Sequence, residues 1–82
     1  MENGNNLYTL NGHCFTVISI IQSSNGNLIS GSYDNTIKIW SLENKMCITT
    51  LHGHNNAVWD LTQLKNGKLV TGSWDKTIKI WE

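Results

Sequence analysis

The thirteen residues Leu69-Val-Thr-Gly-Ser-Trp-Asp-Lys-Thr-Ile-Lys-Ile-Trp81 restate Leu28-Ile-Ser-Gly-Ser-Tyr-Asp-Asn-Thr-Ile-Lys-Ile-Trp40 with four substitutions, forty-one positions apart. Both copies carry the alternation of β structure, with Ile37 and Ile39 set against Thr36, Lys38 and Trp40. Branched and aromatic side chains dominate it, as suits a pleated, half-buried strand. Asp34-Asn35 and Asp75-Lys76 break each stretch into two strands: Leu28 to Ser32 with Thr36 to Trp40, and Leu69 to Ser73 with Thr77 to Trp81.

Outward from this stretch the copying continues. On an offset of 41, sixteen of the 32 pairs from Leu10 to Ser41 against Leu51 to Glu82 are identical, and Glu2/Glu43, Asn3/Asn44 and Thr9/Thr50 extend the match. The chain divides into two units, 1–41 and 42–82. In each, a short apolar strand, Val17 to Ile21 or Val58 to Thr62, leads into Asn25-Gly26 or Asn66-Gly67, a pair suited to a type I′ turn. Met46 to Leu51 reads as a fourth strand, with Asn6 to Leu10 as its counterpart. No stretch shows helical spacing, so the expected class is all-β.

Composition narrows the function. Six basic residues balance six acidic ones, and all six are Lys, so neither an anionic membrane nor nucleic acid is an expected partner. The first twenty residues lack a secretory pattern and no apolar run reaches transmembrane length. Cys14 and Cys47 occupy unrelated repeat positions, each matched by an Asn, and read as free thiols of a cytoplasmic protein. His52, His54 and Cys14 do not form a metal-ligand spacing, and the glycines punctuate turns instead of opening a phosphate-binding helix; no metal or cofactor is expected.

Units of about forty residues with four antiparallel strands match a propeller blade. Gly12-His13 and Gly53-His54, the Leu28 to Asp34 and Leu69 to Asp75 stretches, and the closing Thr-Ile-Lys-Ile-Trp resemble the WD-repeat family. Ser41 and Glu82 stand where that family usually has Asp. The resemblance implies a β-propeller with two four-stranded blades per chain. It also implies a hydrogen-bond network of His13, Ser30, Asp34 and Trp40, repeated as His54, Thr71, Asp75 and Trp81.

These residues could be mistaken for a Ser-His-Asp catalytic triad. Polar groups inside a covered blade must satisfy one another, and the Ser30/Thr71 exchange keeps a hydroxyl while altering a nucleophile, so the expected role is structural and no catalytic residue is assigned.

Two blades leave apolar faces open, and closed WD-repeat rings use an N-terminal strand to complete the last blade. Asn6, Leu7, Tyr8, Thr9 and Leu10 are therefore expected to act as an intermolecular clasp in a homo-oligomer, a tetramer of eight blades before a trimer of six. The resemblance also places partners on the face holding Thr16, Ile18, Tyr33, Ala57, Trp59 and Trp74. The expected function is a non-enzymatic, self-assembling scaffold for other proteins or peptides. The alternatives are a designed or evolutionary propeller fragment active only in assembly, and a symmetric ring binding a small ligand or glycan.

Overall fold

Tight turns join every successive strand of the first sheet, so its strands pair in chain order. The computed structural model describes residues 4–82, which leaves Glu2 and Asn3 of the repeat match outside it. Four strands, β1 (Val17–Gln22), β2 (Leu28–Ser32), β3 (Ile37–Ser41) and β4 (Met46–Leu51), form one antiparallel sheet in the order β1-β2-β3-β4. A second antiparallel sheet follows, β5 (Val58–Gln63), β6 (Leu69–Ser73) and β7 (Ile78–Trp81), in the order β5-β6-β7. The registers repeat: Leu28 faces Trp40 as Leu69 faces Trp81, and the same bulge falls between Val17 and Ser19 as between Val58 and Asp60.

Three expectations change. Asn25-Gly26 does not form a type I′ turn. Gly26 N–H instead closes on the Ser23 carbonyl at 2.9 Å, and Gly26 takes φ +94° without its Asn neighbour doing the same. The Asn25 carboxamide oxygen is engaged by the Asn27 N–H at 3.1 Å and by the Ser23 hydroxyl, which holds a longer turn ending in a left-handed glycine. Thr36 and Thr77 belong to turns and not to strands, because the N–H of each donates to Asp34 or Asp75 at 2.9 Å. Finally, residues 6–10 form no strand in this chain. A strand needs a neighbouring edge, and the edge at the matching repeat position, β7, lies in the other unit.

The core lies between the two sheets. Ile29 and Ile37 of the first sheet pack with Val58, Leu61 and Leu69 of the second, flanked by Ile21, Ile39, Leu51 and Trp81. Gly31 permits this approach: a Cβ there would lie 2.8 Å from Val58 Cγ1 and 3.1 Å from the Val58 carbonyl oxygen.

Candidate functional site

The polar network forms as a relay in each sheet. Trp40 Nε1–H donates to Ser30 Oγ at 2.8 Å, Ser30 Oγ lies 2.6 Å from His13 Nε2, and His13 Nδ1 lies 2.9 Å from Asp34 Oδ2. A carboxylate oxygen only accepts, so the ring proton sits on Nδ1 and the Ser30 hydroxyl donates to Nε2. The second relay has the same order: Trp81 to Thr71 at 2.9 Å, Thr71 to His54 at 2.7 Å, His54 to Asp75 at 2.8 Å. Ser30 and Thr71 are both buried, and each hydroxyl oxygen is already occupied by an indole N–H.

Sequence reading missed several members of this network. The Thr36 and Thr77 hydroxyls also donate to Asp34 and Asp75. Ser32 Oγ accepts the Asp34 N–H at 3.0 Å and donates to the Phe15 carbonyl at 3.3 Å; Ser73 does the same with Asp75 and the Asn56 carbonyl, both at 3.1 Å. Gly12 and Gly53 leave room for indole: a Cβ on either would come within 3.1 Å or 3.0 Å of Trp40 or Trp81 Cη2. Their signal was present, since all three pairs are identical between the units.

The carboxylates are strongly held in their charged form. For Asp34, burial works against ionisation, but donation from the Thr36 hydroxyl, the Cys14 N–H, His13 and the Thr36 N–H outweighs it and holds the carboxyl well below its usual range. For Asp75 the Thr77 hydroxyl is the largest influence, opposed by burial and joined by the Asn55 N–H, His54 and the Thr77 N–H, with the same net direction. A depressed folded-state pKa stabilises the fold above the unfolded-chain value of about 4, and that contribution is lost as pH falls below it toward the folded-state values. The thermal midpoint should therefore be lower at about pH 2.5 than at about pH 5. Asp34→Asn should reduce that difference, and an unchanged pH dependence in this variant would contradict the assignment.

At one end of the sheets the turns gather aromatic rings. The Tyr33 N–H donates to the Thr16 carbonyl and the Trp74 N–H to the Ala57 carbonyl, each at 3.0 Å, so the loop entering each first strand fixes the turn between second and third. Trp59 and Trp74 stack with centroids 4.8 Å apart and planes inclined by 24°, and Tyr33 lies 5.4 Å from Trp74 and 6.4 Å from Trp59. All three rings are substantially exposed, as is Thr16, while Ile18 is half-buried. Ala57 is buried, so its side chain is not available to a partner; its carbonyl positions Trp74. Cys14 and His52 are exposed at separate points of the chain, and among the described residues no three His, Cys, Asp or Glu side chains come together in a metal-binding group.

The family described as WD domain, G-beta repeat matches residues 4–41 and 45–82. This chain belongs to the WD40-repeat family. Ribosome biogenesis protein YTM1 of Vanderwaltozyma polyspora is 51% identical over 41 residues, covering 50% of this chain and 9% of that protein. F-box/WD repeat-containing protein 7 of Drosophila melanogaster is 46% identical over 39 residues, covering 48% and 3%. The WD40 β-propeller domain of Doa1 superposes with a TM-score of 0.93 at 30% identity, over 98% of this chain and 27% of that one. The chain thus spans less than a tenth of these two curated relatives. WD40 repeats are in general non-enzymatic scaffolds for protein interaction, and in each sheet the relay here ties a residue before the first strand to the second strand and the turn that follows it. Among the described residues no helix is long and apolar enough to cross a membrane.

Proposed function

We propose that this chain is a cytoplasmic protein-interaction scaffold that self-associates head to tail, presenting the Tyr33, Trp59 and Trp74 cluster to protein or peptide partners. One observation carries the self-association: the residues exposed on the two outer faces occupy the repeat positions that are buried between the sheets. Ile37 is 1% exposed and its counterpart Ile78 is 75% exposed; Leu61 is 5% exposed and its counterpart Ile20 is 61% exposed. The outer face of the second sheet therefore carries the side chains of one half of an established interface, and the outer face of the first sheet carries those of the other half. A second copy satisfies both with chemistry already present, as a heterologous contact that closes when its rotation permits. Four copies with eight blades are favoured over three with six, with the units 1–41 and 42–82 as the WD-type sequence repeats and each blade drawing its outer strand from the repeat that follows.

The aromatic cluster supports the scaffold reading because exposed Trp and Tyr are frequent anchors of protein interfaces. Successive copies would extend it, since Trp74 would meet the next copy's Ile18 and Tyr33 as Tyr33 meets Trp59 and Trp74 here.

Gly72 supplies the test. A Cβ at Gly72 meets nothing nearer than Asp60 Cβ at 4.0 Å, whereas at the equivalent Gly31 it would strike Val58 of the packed sheet. Gly72→Ala should leave the single chain folded and shift sedimentation toward the monomer. A wild-type chain that sediments as a monomer at about 50 µM, the range of even a modest dissociation constant, overturns self-association.

A further inference from the structure

We infer that Asn11 is a site of spontaneous deamidation, in which the Gly12 nitrogen closes on the Asn11 side chain, while the folded turns hold Asn25 and Asn66 against the same reaction. The sequence has four Asn-Gly pairs, at 3–4, 11–12, 25–26 and 66–67, and Asn3 lies outside the described residues. Glycine favours the reaction because, without a Cβ, it leaves its nitrogen open to approach and its backbone free to rotate. In the step itself the Gly12 nitrogen passes its proton to a solvent base and attacks Asn11 Cγ. The new C–N bond forms as the Cγ–Nδ2 bond breaks, and ammonia leaves with a proton from solvent. Water then adds to either carbonyl of the cyclic imide, opening it to an aspartate or an isoaspartate at position 11. The balance is a water taken up and an ammonia released.

The described pairs differ in how firmly the fold holds the reacting groups. The Gly26 N–H donates to the Ser23 carbonyl and the Gly67 N–H to the Leu64 carbonyl, each at 2.9 Å. A donated proton is harder to lose, and a nitrogen held in that bond cannot swing toward the side chain. Gln22 and Gln63 donate from Nε2 to the Gly26 and Gly67 carbonyls at 3.3 Å and 2.9 Å, fixing the far side of each glycine. The carboxamides are fixed as well: Asn25 Oδ1 accepts the Asn27 N–H at 3.1 Å, and Asn66 Oδ1 the Lys68 N–H at 3.0 Å. Among the described residues, the Gly12 N–H and the Asn11 carboxamide have no such partner. Asn11 is exposed to the water the reaction needs. A docked neighbour does not close this position. Trp81, against which Gly53 packs, flanks the core between the sheets, yet His52, the counterpart of Asn11, is exposed too.

The product would form where it disturbs the fold. Gly12 passes so close to the Trp40 indole that a Cβ would lie 3.1 Å from Cη2, and His13 of the relay follows directly. An isoaspartate lengthens the main chain by a methylene immediately before that contact. The second unit has His52-Gly53 there, so only the first relay is subject to the change.

Incubation of the full chain at mildly alkaline pH, followed by peptide mapping for mass gain and isoaspartate, tests the assignment. Asn11 should convert at least about tenfold faster than Asn25 or Asn66, the factor that a single net hydrogen bond is worth. In denaturing urea the three should convert at similar rates, because the fold alone separates them. Asn11→His, which installs the residue of the second unit, should abolish conversion at position 11. Its thermal midpoint should hold through the incubation while that of the wild type falls. Conversion at Asn11 no faster than at Asn25 and Asn66 in the folded chain, or a ranking unchanged by urea, would overturn the site. A wild type rich in isoaspartate at position 11 with an unshifted midpoint would overturn the effect on the relay and leave the site standing.

Discussion

Gly31→Ala lowers the stability of the chain by about 1–3 kcal/mol, the usual cost of overfilling a packed core. The added methyl would sit 2.8 Å from Val58 Cγ1 and 3.1 Å from the Val58 carbonyl oxygen, inside any normal contact distance. Val58 is fully buried, β-branched and part of β5, so neither a rotamer change nor a small backbone movement gives room without disturbing the sheet. The two sheets must separate, and with them the packing of Ile29, Ile37, Leu61 and Leu69 loosens. Gly72→Ala is the internal control, since the same substitution at the same repeat position faces open space in the single chain. Urea denaturation, carried out under conditions where the chain is dilute enough to be monomeric, should show a lower midpoint for Gly31→Ala and an unchanged one for Gly72→Ala. Equal effects would mean that the glycines serve the β2 and β6 backbones and not the contact between sheets.

His54→Ala is the second large effect, with an expected loss of about 2–4 kcal/mol from two broken hydrogen bonds and the void left by a buried ring. The imidazole joins Thr71 to Asp75 and meets the Trp81 ring edge-on at 6.4 Å. Without it the Thr71 hydroxyl, completely buried, keeps the Trp81 donor but loses the acceptor for its own proton. The loop entering β5 also loses one of its ties to the β6–β7 turn, keeping those from the Asn55 N–H to Asp75 and from the Trp74 N–H to the Ala57 carbonyl, so the turn carrying Trp74 should loosen. A calorimetric midpoint unchanged in His54→Ala would remove the structural role assigned to the relay. Tryptophan fluorescence provides a second readout, because the stacked Trp59 and Trp74 depend on that turn.

The strands of both sheets could be read from the chain because they depend on local pattern repeated 41 positions apart, whereas the relays followed only from the resemblance to WD-repeat blades. Burial could not be read in the same way. Ile37 and Ile78 are the same residue in the same repeat setting, yet the first is in the core and the second faces solvent. A side chain's surroundings are decided by the neighbouring sheet, which no property of the residue encodes. The segment at residues 6–10 fails as a strand for the same reason: pairing is a relation between two edges, and only one of them is supplied locally. Ala57 shows a finer limit. Its counterpart Thr16 is exposed, so position in the repeat alone placed Ala57 on the partner face, whereas the approach of the first sheet covers it. Turn chemistry was also misread where Asn25 prefers to bond its neighbours through its side chain instead of entering the left-handed region.

The hairpin order of the sheets has a kinetic consequence. Every strand pair joins segments adjacent along the chain, so the loops to be closed within each sheet are short and their closure entropy is small. Contacts of low sequence separation form early, and each sheet can organise before the long-range meeting of Gly31 with Val58. The slow event expected on this route is the docking of the two sheets, a search in which a single chain must bring together partners from its two halves. Folding speed should then be governed by the linker through Leu51 and Val58, while the hairpins themselves set a faster time scale.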